Sequence, residues 1–336
     1  MIRLRLVARF FLILAAVGLG LVLLLARPTS ATGQFHPWVR AEWRETSSTA
    51  HPTFISPTAS GNLLVVRNGY LGPSVVELDQ EGRKVWEYGP VQATAAVRLA
   101  NGHTLICDSG APGPPAVPRV IEVNAKGEIV WEYPTTNRTL APQHAQRLAN
   151  GNTLVAYSDR VEELTPQGRR VWRSQGFFLR ASWARRLGNG HTLVVERGLG
   201  GGGRVVELDA AGRPCWQYPA RADQPVLLDP VAADREGDLT RILDLGAARV
   251  WFVDAAPNPV QVIDWQELRQ ALPLANLWAG ALTGDGHLYL SLTYTSGRSA
   301  VLRVELPAAA AFPPADSAVP LPPTSVGEPP AGEARP

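Results

Sequence analysis

Six histidines and two cysteines are the side chains of this 336-residue chain best suited to proton transfer, metal ligation or nucleophilic attack near neutral pH. The cysteines, Cys107 and Cys215, stand in no CxxC and in no Cys/His cluster, which excludes a disulfide scaffold and the common zinc motifs. Both read as buried free thiols too far apart to bridge. His103, His191 and His287 each directly follow a turn glycine, so turn geometry accounts for them. That leaves His36, His51 and His144, of which His144, in Gln143-His-Ala-Gln-Arg147, is the candidate for chemistry. Gly198 to Gly203 matches the dinucleotide fingerprint letter for letter, but a strand from Arg204 to Asp209 follows it, and without a helix N-terminus there is no seat for a pyrophosphate. No metal set and no cofactor set is legible.

The elements that must hold these residues come from a repeat. Gly82-Arg-Lys-Val-Trp86, Gly127-Glu-Ile-Val-Trp131, Gly168-Arg-Arg-Val-Trp172 and Gly212-Arg-Pro-Cys-Trp216 each place Gly and Trp four apart, and nine residues before each Trp stands Glu77, Glu122, Glu163 or Glu207. Upstream lies a second element, Arg98-Leu-Ala-Asn-Gly102, Arg147-Leu-Ala-Asn-Gly151 and Arg186-Leu-Gly-Asn-Gly190, each followed by x-Thr-Leu. Asn-Gly between apolar runs predicts a hairpin with a type I′ turn, which needs positive φ at both positions. Turn glycines Gly61, Gly102, Gly151, Gly190, Gly237 and Gly286 are spaced by 41, 49, 39, 47 and 49 residues, the period of four-stranded propeller blades. The recurring Glu and Trp then read as blade packing and surface pairing.

The chain is therefore expected to be all-β, a six-bladed β-propeller. Blade 5 has Val262 where the Trp would stand, and Asp264 with Glu267 predicts a capping box opening a short helix that runs to Leu272. Blade 6 ends at Leu306 without a Trp strand, while an orphan strand, Val39 to Trp43, precedes the first blade; the N-terminal strand is expected to close the ring on 301–306.

Arg3, Arg5 and Arg9 precede seventeen apolar or small residues, Phe10 to Ala26, a run of about 25 Å as a helix. It reads as one transmembrane anchor, with a signal helix cleaved near Ala31 as the alternative, and the arginines keep that end cytoplasmic. The division expected is 1–31 signal-anchor, 32–306 propeller, and 307–336 a disordered Pro/Ala-rich tail. The propeller then lies on the periplasmic or extracellular side of an inner or plasma membrane. Asn137-Arg-Thr139 fits a glycosylation acceptor. Thirty-two basic against thirty acidic residues leave +2, so no global field favours nucleic acid.

Binding in a propeller concentrates where inner strands begin. Seven residues before each turn glycine stand Phe54, Ala95, His144, Trp183, Pro230 and Ala279, and the expected binding residues around that mouth are Gln143, Arg180, Trp183, Asp229 and Trp278.

The unit R-L-x-N-G-x-T-L followed by V-x-E-L-D-x-x-G-x-x-V-W-x-Y resembles the repeats of the PQQ-like and arylsulfotransferase-like β-propeller superfamily, over four blades well and two poorly. In arylsulfotransferases, histidines at the start of several inner strands, with an arginine nearby, transfer a sulfuryl group between phenols. The resemblance would give that role to His144, while Ala95, Trp183 and Ala279 depart from the pattern. The Gly-x-x-x-Trp element also looks like the docking motif of quinoprotein dehydrogenases, whose eight blades and calcium-binding carboxylate and asparagine set have no counterpart in this sequence, so no quinone cofactor is expected. A third similar protein is the non-enzymatic outer-membrane assembly scaffold, with eight blades and a lipid anchor. The function expected is a membrane-anchored, exported, non-catalytic binding or scaffold module with a protein or other macromolecular partner. Sulfuryl transfer through His144 is the alternative.

Overall fold

The computed structural model describes residues 39–45, 50–69, 72–110, 117–135, 140–176, 178–198, 202–272, 275–283 and 287–305. The expected anchor, the tail, Gly286 and the Asn137 sequon lie outside them. Among the described residues no helix is long and apolar enough to cross a membrane.

Strand β1 (Val39–Glu45) precedes five blades of four consecutive antiparallel strands and a sixth of three. Blade 1 holds β2 (Ala50–Pro57), β3 (Leu63–Gly69), β4 (Ser74–Leu78) and β5 (Lys84–Tyr88). Blade 2 holds β6 (Ala93–Arg98), β7 (Thr104–Asp108), β8 (Arg119–Val123) and β9 (Ile129–Pro134). Blade 3 follows with β10 (Pro142–Arg147), β11 (Thr153–Tyr157), β12 (Arg160–Leu164) and β13 (Arg170–Arg173). Blade 4 has β14 (Ala181–Arg186), β15 (Thr192–Glu196), β16 (Arg204–Leu208) and β17 (Pro214–Tyr218), and blade 5 has β18 (Pro230–Glu236), β19 (Leu239–Asp244), β20 (Arg249–Val253) and β21 (Pro259–Asp264). Helix α1 (Gln266–Ala271) leads into β22 (Ala275–Leu282), β23 (His287–Tyr294) and β24 (Ser299–Glu305), and β1 is hydrogen-bonded to β24, with Trp43 opposite Val301 and Val39 opposite Val304. The protein is an all-β six-bladed propeller.

Apolar residues alternate across each blade and are buried between blades, so the core is six cores in a ring. Leu64 and Val75 of blade 1 meet Ala96 and Ile106 of blade 2, and so on round to Ile55 and Val65 of blade 1, which meet Tyr289 and Val301 of blade 6. The repeat supplies a latch across four of these interfaces. Glu77, Glu122, Glu163 and Glu207 each pair with an arginine of the next blade: Arg98, Arg147 (2.5 Å), Arg186 (2.6 Å) and Arg235. Each of these guanidinium groups lies over the repeat Trp of the Glu's own blade, 4.5–4.8 Å from the ring centre. The indole N–H reaches on to a turn carbonyl of the next blade, as from Trp131 to Pro166 O at 2.7 Å. The Gly-to-Trp spacing is thus an interblade device as much as a hairpin.

Two local expectations change. In the Asn-Gly loops only the glycine has positive φ, 82° at Gly102 and 83° at Gly151, and Ala248 is the sole non-glycine in that region among the described residues. Gly102 N–H donates to Leu99 O and Leu99 N–H to His103 O, which makes a three-residue loop: a type I turn ending on a left-handed glycine. Asn101 Oδ1 accepts the His103 N–H at 3.0 Å, holding the asparagine right-handed. Helix α1 also lacks its capping box: Trp265 at the N-cap makes no side-chain cap, and Asp264 Oδ1 instead accepts the Gln266 N–H at 2.8 Å. Trp265 is needed inside, fully buried in the core between blades 5 and 6, where the degenerate blade offers no repeat Trp.

Candidate functional site

Each innermost strand (β2, β6, β10, β14, β18 and β22) carries a bulge early in its course, at Thr53, Thr94, Gln143, Ser182, Val231 and Trp278. A bulge inserts one unpaired residue and re-aims the side chains beyond it. The residues immediately after the bulges are Phe54, Ala95, His144, Trp183, Ala232 and Ala279. Counting back from the turn glycine gave Pro230 in blade 5. That blade closes with a shorter turn, Glu236 pairing with Leu239, which moves the equivalent position to Ala232.

Phe54, His144 and Trp183 meet on the ring axis, with the imidazole 6.1 Å from the Phe54 ring and 5.4 Å from the Trp183 ring. They line a cavity of about 160 Å³ that runs toward the ends of the inner strands, past Ser56, Val97, Arg185, Asp234 and Leu282. Sequence reasoning placed the mouth at the strand beginnings; the cavity lies in the other half of the channel. It takes in His144 and Trp183, whereas Gln143, Arg180, Asp229 and Trp278 do not line it.

Burial pushes the His144 pKa down to about 4, the nearby Arg185 adds to that, and a hydrogen bond to the Ala184 backbone opposes it only in part. The ring is neutral at pH 7, its Nδ1 without a partner among the described residues. Arg185 pairs with Asp234 at 2.7 Å on the cavity wall. The buried Arg241 lines the same cavity, and a neutral imidazole between two aromatic rings can hold a small aromatic group there.

The remaining expected residues gather on the face where the inner strands begin. Asp229 grips Arg197 through two bonds, Nε–Oδ1 at 2.7 Å and Nη2–Oδ2 at 2.6 Å. The Arg197 N–H donates to Arg180 O, and the Arg180 guanidinium reaches Gly198 O at 3.3 Å. Gln143 folds back on Ala141 O, and Trp278 stacks on His51 at 5.6 Å while donating to Thr293 Oγ1. The Gly-rich tip joins the same face, Gly203 N–H donating to Leu227 O at 2.7 Å.

Apart from Trp278, the apolar residues of this face were not singled out by the sequence. Leu179, Val226 and Leu228 are 59%, 53% and 52% exposed on the segments leading into β14 and β18, interleaved with Arg180 and Asp229, and Trp278, at the bulge within β22, is 39% exposed. Buried carboxylates at the ends of second strands fix two of these segments. Glu196, closing β15, accepts the Leu179 N–H at 2.6 Å and Arg204 Nε at 2.6 Å. Asp244, closing β19 with no exposed surface, accepts the amides of Leu228 (2.9 Å), Asp229 (2.8 Å) and Ala247 (3.1 Å). Acidic residues at strand ends were visible in the sequence, but their amide partners sit fifteen or more residues away except for Ala247. The carboxylates hold the backbone of these loops, which lowers the cost of ordering them on binding.

No protein-family model matches the chain, and no curated protein matches it. Solved structures do. A streptogramin B lyase matches with a TM-score of 0.55 at 14% identity, over 80% of this chain and 87% of that one. A catalytically inactive virginiamycin B lyase from Staphylococcus aureus with quinupristin gives 0.54 at 13% identity, over 80% and 88%. A protein of unknown function from Bacteroides caccae gives 0.50 at 17%, over 65% and 83%. At these identities the likeness concerns the propeller fold.

Proposed function

We propose that this protein is a non-catalytic binding or scaffold module that engages a protein or other macromolecule through the face where the inner strands begin. The observation that carries the reading is the set of exposed Leu179, Val226 and Leu228 with Arg180 and Asp229 among them, on loops held by Glu196 and Asp244, together with the exposed Trp278 of β22. Exposed apolar side chains gathered on one face among polar ones favour an interaction site. The repeat's similarity to the PQQ-like and arylsulfotransferase-like superfamily is compatible with this reading, since binding and scaffold proteins occur in it.

We further propose that β1 closes the ring and that the run Phe10 to Ala26 tethers it outside the cytoplasm. The pairing of Val39 with Val304 brings the start of β1 and the end of β24 to the Asn-Gly turn side. A tether leading into Val39 would therefore hold the turn side toward the bilayer and leave the apolar loop face pointing away.

His144 favours one second reading, sulfuryl transfer, because its neutral ring, with Nδ1 unpartnered among the described residues, sits between aromatic walls that would suit a phenol. The two readings part on a simple assay: the purified chain with a chromogenic aryl sulfate and a phenol acceptor. The binding module gives no turnover. Turnover lost in His144→Ala would establish the enzyme instead.

A further inference from the structure

The latch between blades 4 and 5 matches that between blades 2 and 3 in its His, Glu and Arg but carries one further donor. In blade 2, His103 Nδ1 lies 2.7 Å from Glu122 Oε1, and Arg147 holds the other carboxylate oxygen. In blade 4, His191 Nδ1 lies 2.7 Å from Glu207 Oε1, with Arg235 on Oε2. The position before the repeat Trp is Val85, Val130 and Val171 in blades 1 to 3, but Cys215 in blade 4. Its Sγ stands 3.8 Å from His191 Nδ1, and the three donor atoms lie within 4.8 Å of one another. Contrary to the sequence expectation, Cys215 is exposed, while Cys107 is buried.

We propose that His191, Glu207 and Cys215 form a surface site for a divalent cation of the zinc type. Imidazole, carboxylate and thiolate are the donor types zinc takes, and metal–ligand bonds of about 2.0–2.3 Å put tetrahedral donors roughly 3.3–3.7 Å apart. The Sγ–Nδ1 separation is already close to that range, the His191–Glu207 hydrogen bond must open by well under 1 Å, and the thiol and carboxylate, within 4.8 Å of each other, must draw together by about an ångström at most. On binding, the imidazole proton moves from Nδ1 to Nε2, Nδ1 and Glu207 Oε1 bond the metal, and the thiol releases its proton to solvent as sulfur bonds the metal. Arg235 on Oε2 keeps the carboxylate monodentate, the supporting contact that ligating carboxylates usually have. Its charge also weakens affinity relative to a structural zinc site. Three protein donors and an exposed cysteine leave the fourth position to water. The donors come from the loop before β15, the end of β16 and the start of β17, so a bound ion staples three strands of blade 4 at the face bearing the Asn-Gly turns.

The sibling blades supply variants that must fold. Cys215→Val restores the residue of blades 1 to 3. His191→Asn copies blade 3, where Asn152 Nδ2 donates to Glu163 Oε1 at 2.7 Å. The test is titration of the reduced, full-length chain, free of any polyhistidine tag, with Co²⁺. The wild type should bind one equivalent with a thiolate-to-cobalt charge-transfer band, displaced by Zn²⁺, and each variant should bind at least tenfold more weakly, Cys215→Val without the band. A wild type that shows no such band, or either variant binding within tenfold of it, would overturn the proposal.

Discussion

His144 makes the most direct link between burial and measurable behaviour. Its ring loses water on folding, which lowers the folded-state pKa from 6.5 to about 4. A base whose folded pKa is depressed leaves the unfolded chain binding the extra proton, so stability falls as pH drops between those two values. Taken alone, this one group removes on the order of 3 kcal/mol across that window. The melting temperature of the wild type should therefore decline between pH 6.5 and 4 more steeply than that of His144→Phe, which keeps an aromatic ring against Phe54 and Trp183. Parallel curves for the two proteins would show that the site is open to water. The candidacy of His144 was legible in the sequence because the repeat explained three other histidines. The His191–Glu207–Cys215 set was not, because its donors are 16 and 24 residues apart and each had a sufficient explanation inside the repeat.

At the scale of elements, the latch decides how blades stay in register. Trp131 stacks under Arg147, which also bonds Glu122, and its indole N–H reaches Pro166 O. Trp131→Ala removes the stack, the hydrogen bond and part of the packing, and should cost about 2–3 kcal/mol. Val130→Ala, beside it on a half-exposed outward position, should change stability by less than about 0.5 kcal/mol. Urea melts of the two variants measure the contrast. The blade count and strand order were readable because propeller spacing is set by local hairpins. The turn type was not: Asn-Gly serves both the two-residue and the three-residue loop, and here the Leu99–His103 backbone bond and the Asn101 side-chain bond to His103 set the longer one. The bulges also escaped notice, since an extra residue leaves no mark on composition, and in blade 5 a shorter turn shifted Pro230 off the equivalent position.

The same pairing logic extends to the whole ring. If β1 closes it, deleting residues 32–45 leaves the outer edge of β24 bare, an invitation to pair with other chains. The truncated protein should melt lower, less cooperatively and with concentration-dependent aggregation. A truncation that melts like the full chain would place closure in the side-chain core between blades 6 and 1 instead.

Beyond closure, the proposed role requires that one face of the ring bind a macromolecule. The loops of blades 4 and 5 present hydrophobic side chains on backbone held by buried carboxylates, while the axial cavity is lined by a neutral histidine, the Arg185–Asp234 pair and the buried Arg241. Photo-crosslinking in the native cell tests this most directly, with the reactive residue placed at Leu179 or Leu228 on the loop face and at Val85 or Val171 on the outer strands. The account predicts a discrete adduct of defined mass from the loop face, absent from the outer positions and unchanged by His144→Ala. Adducts from the outer strands alone, or none from the loop face, would contradict it.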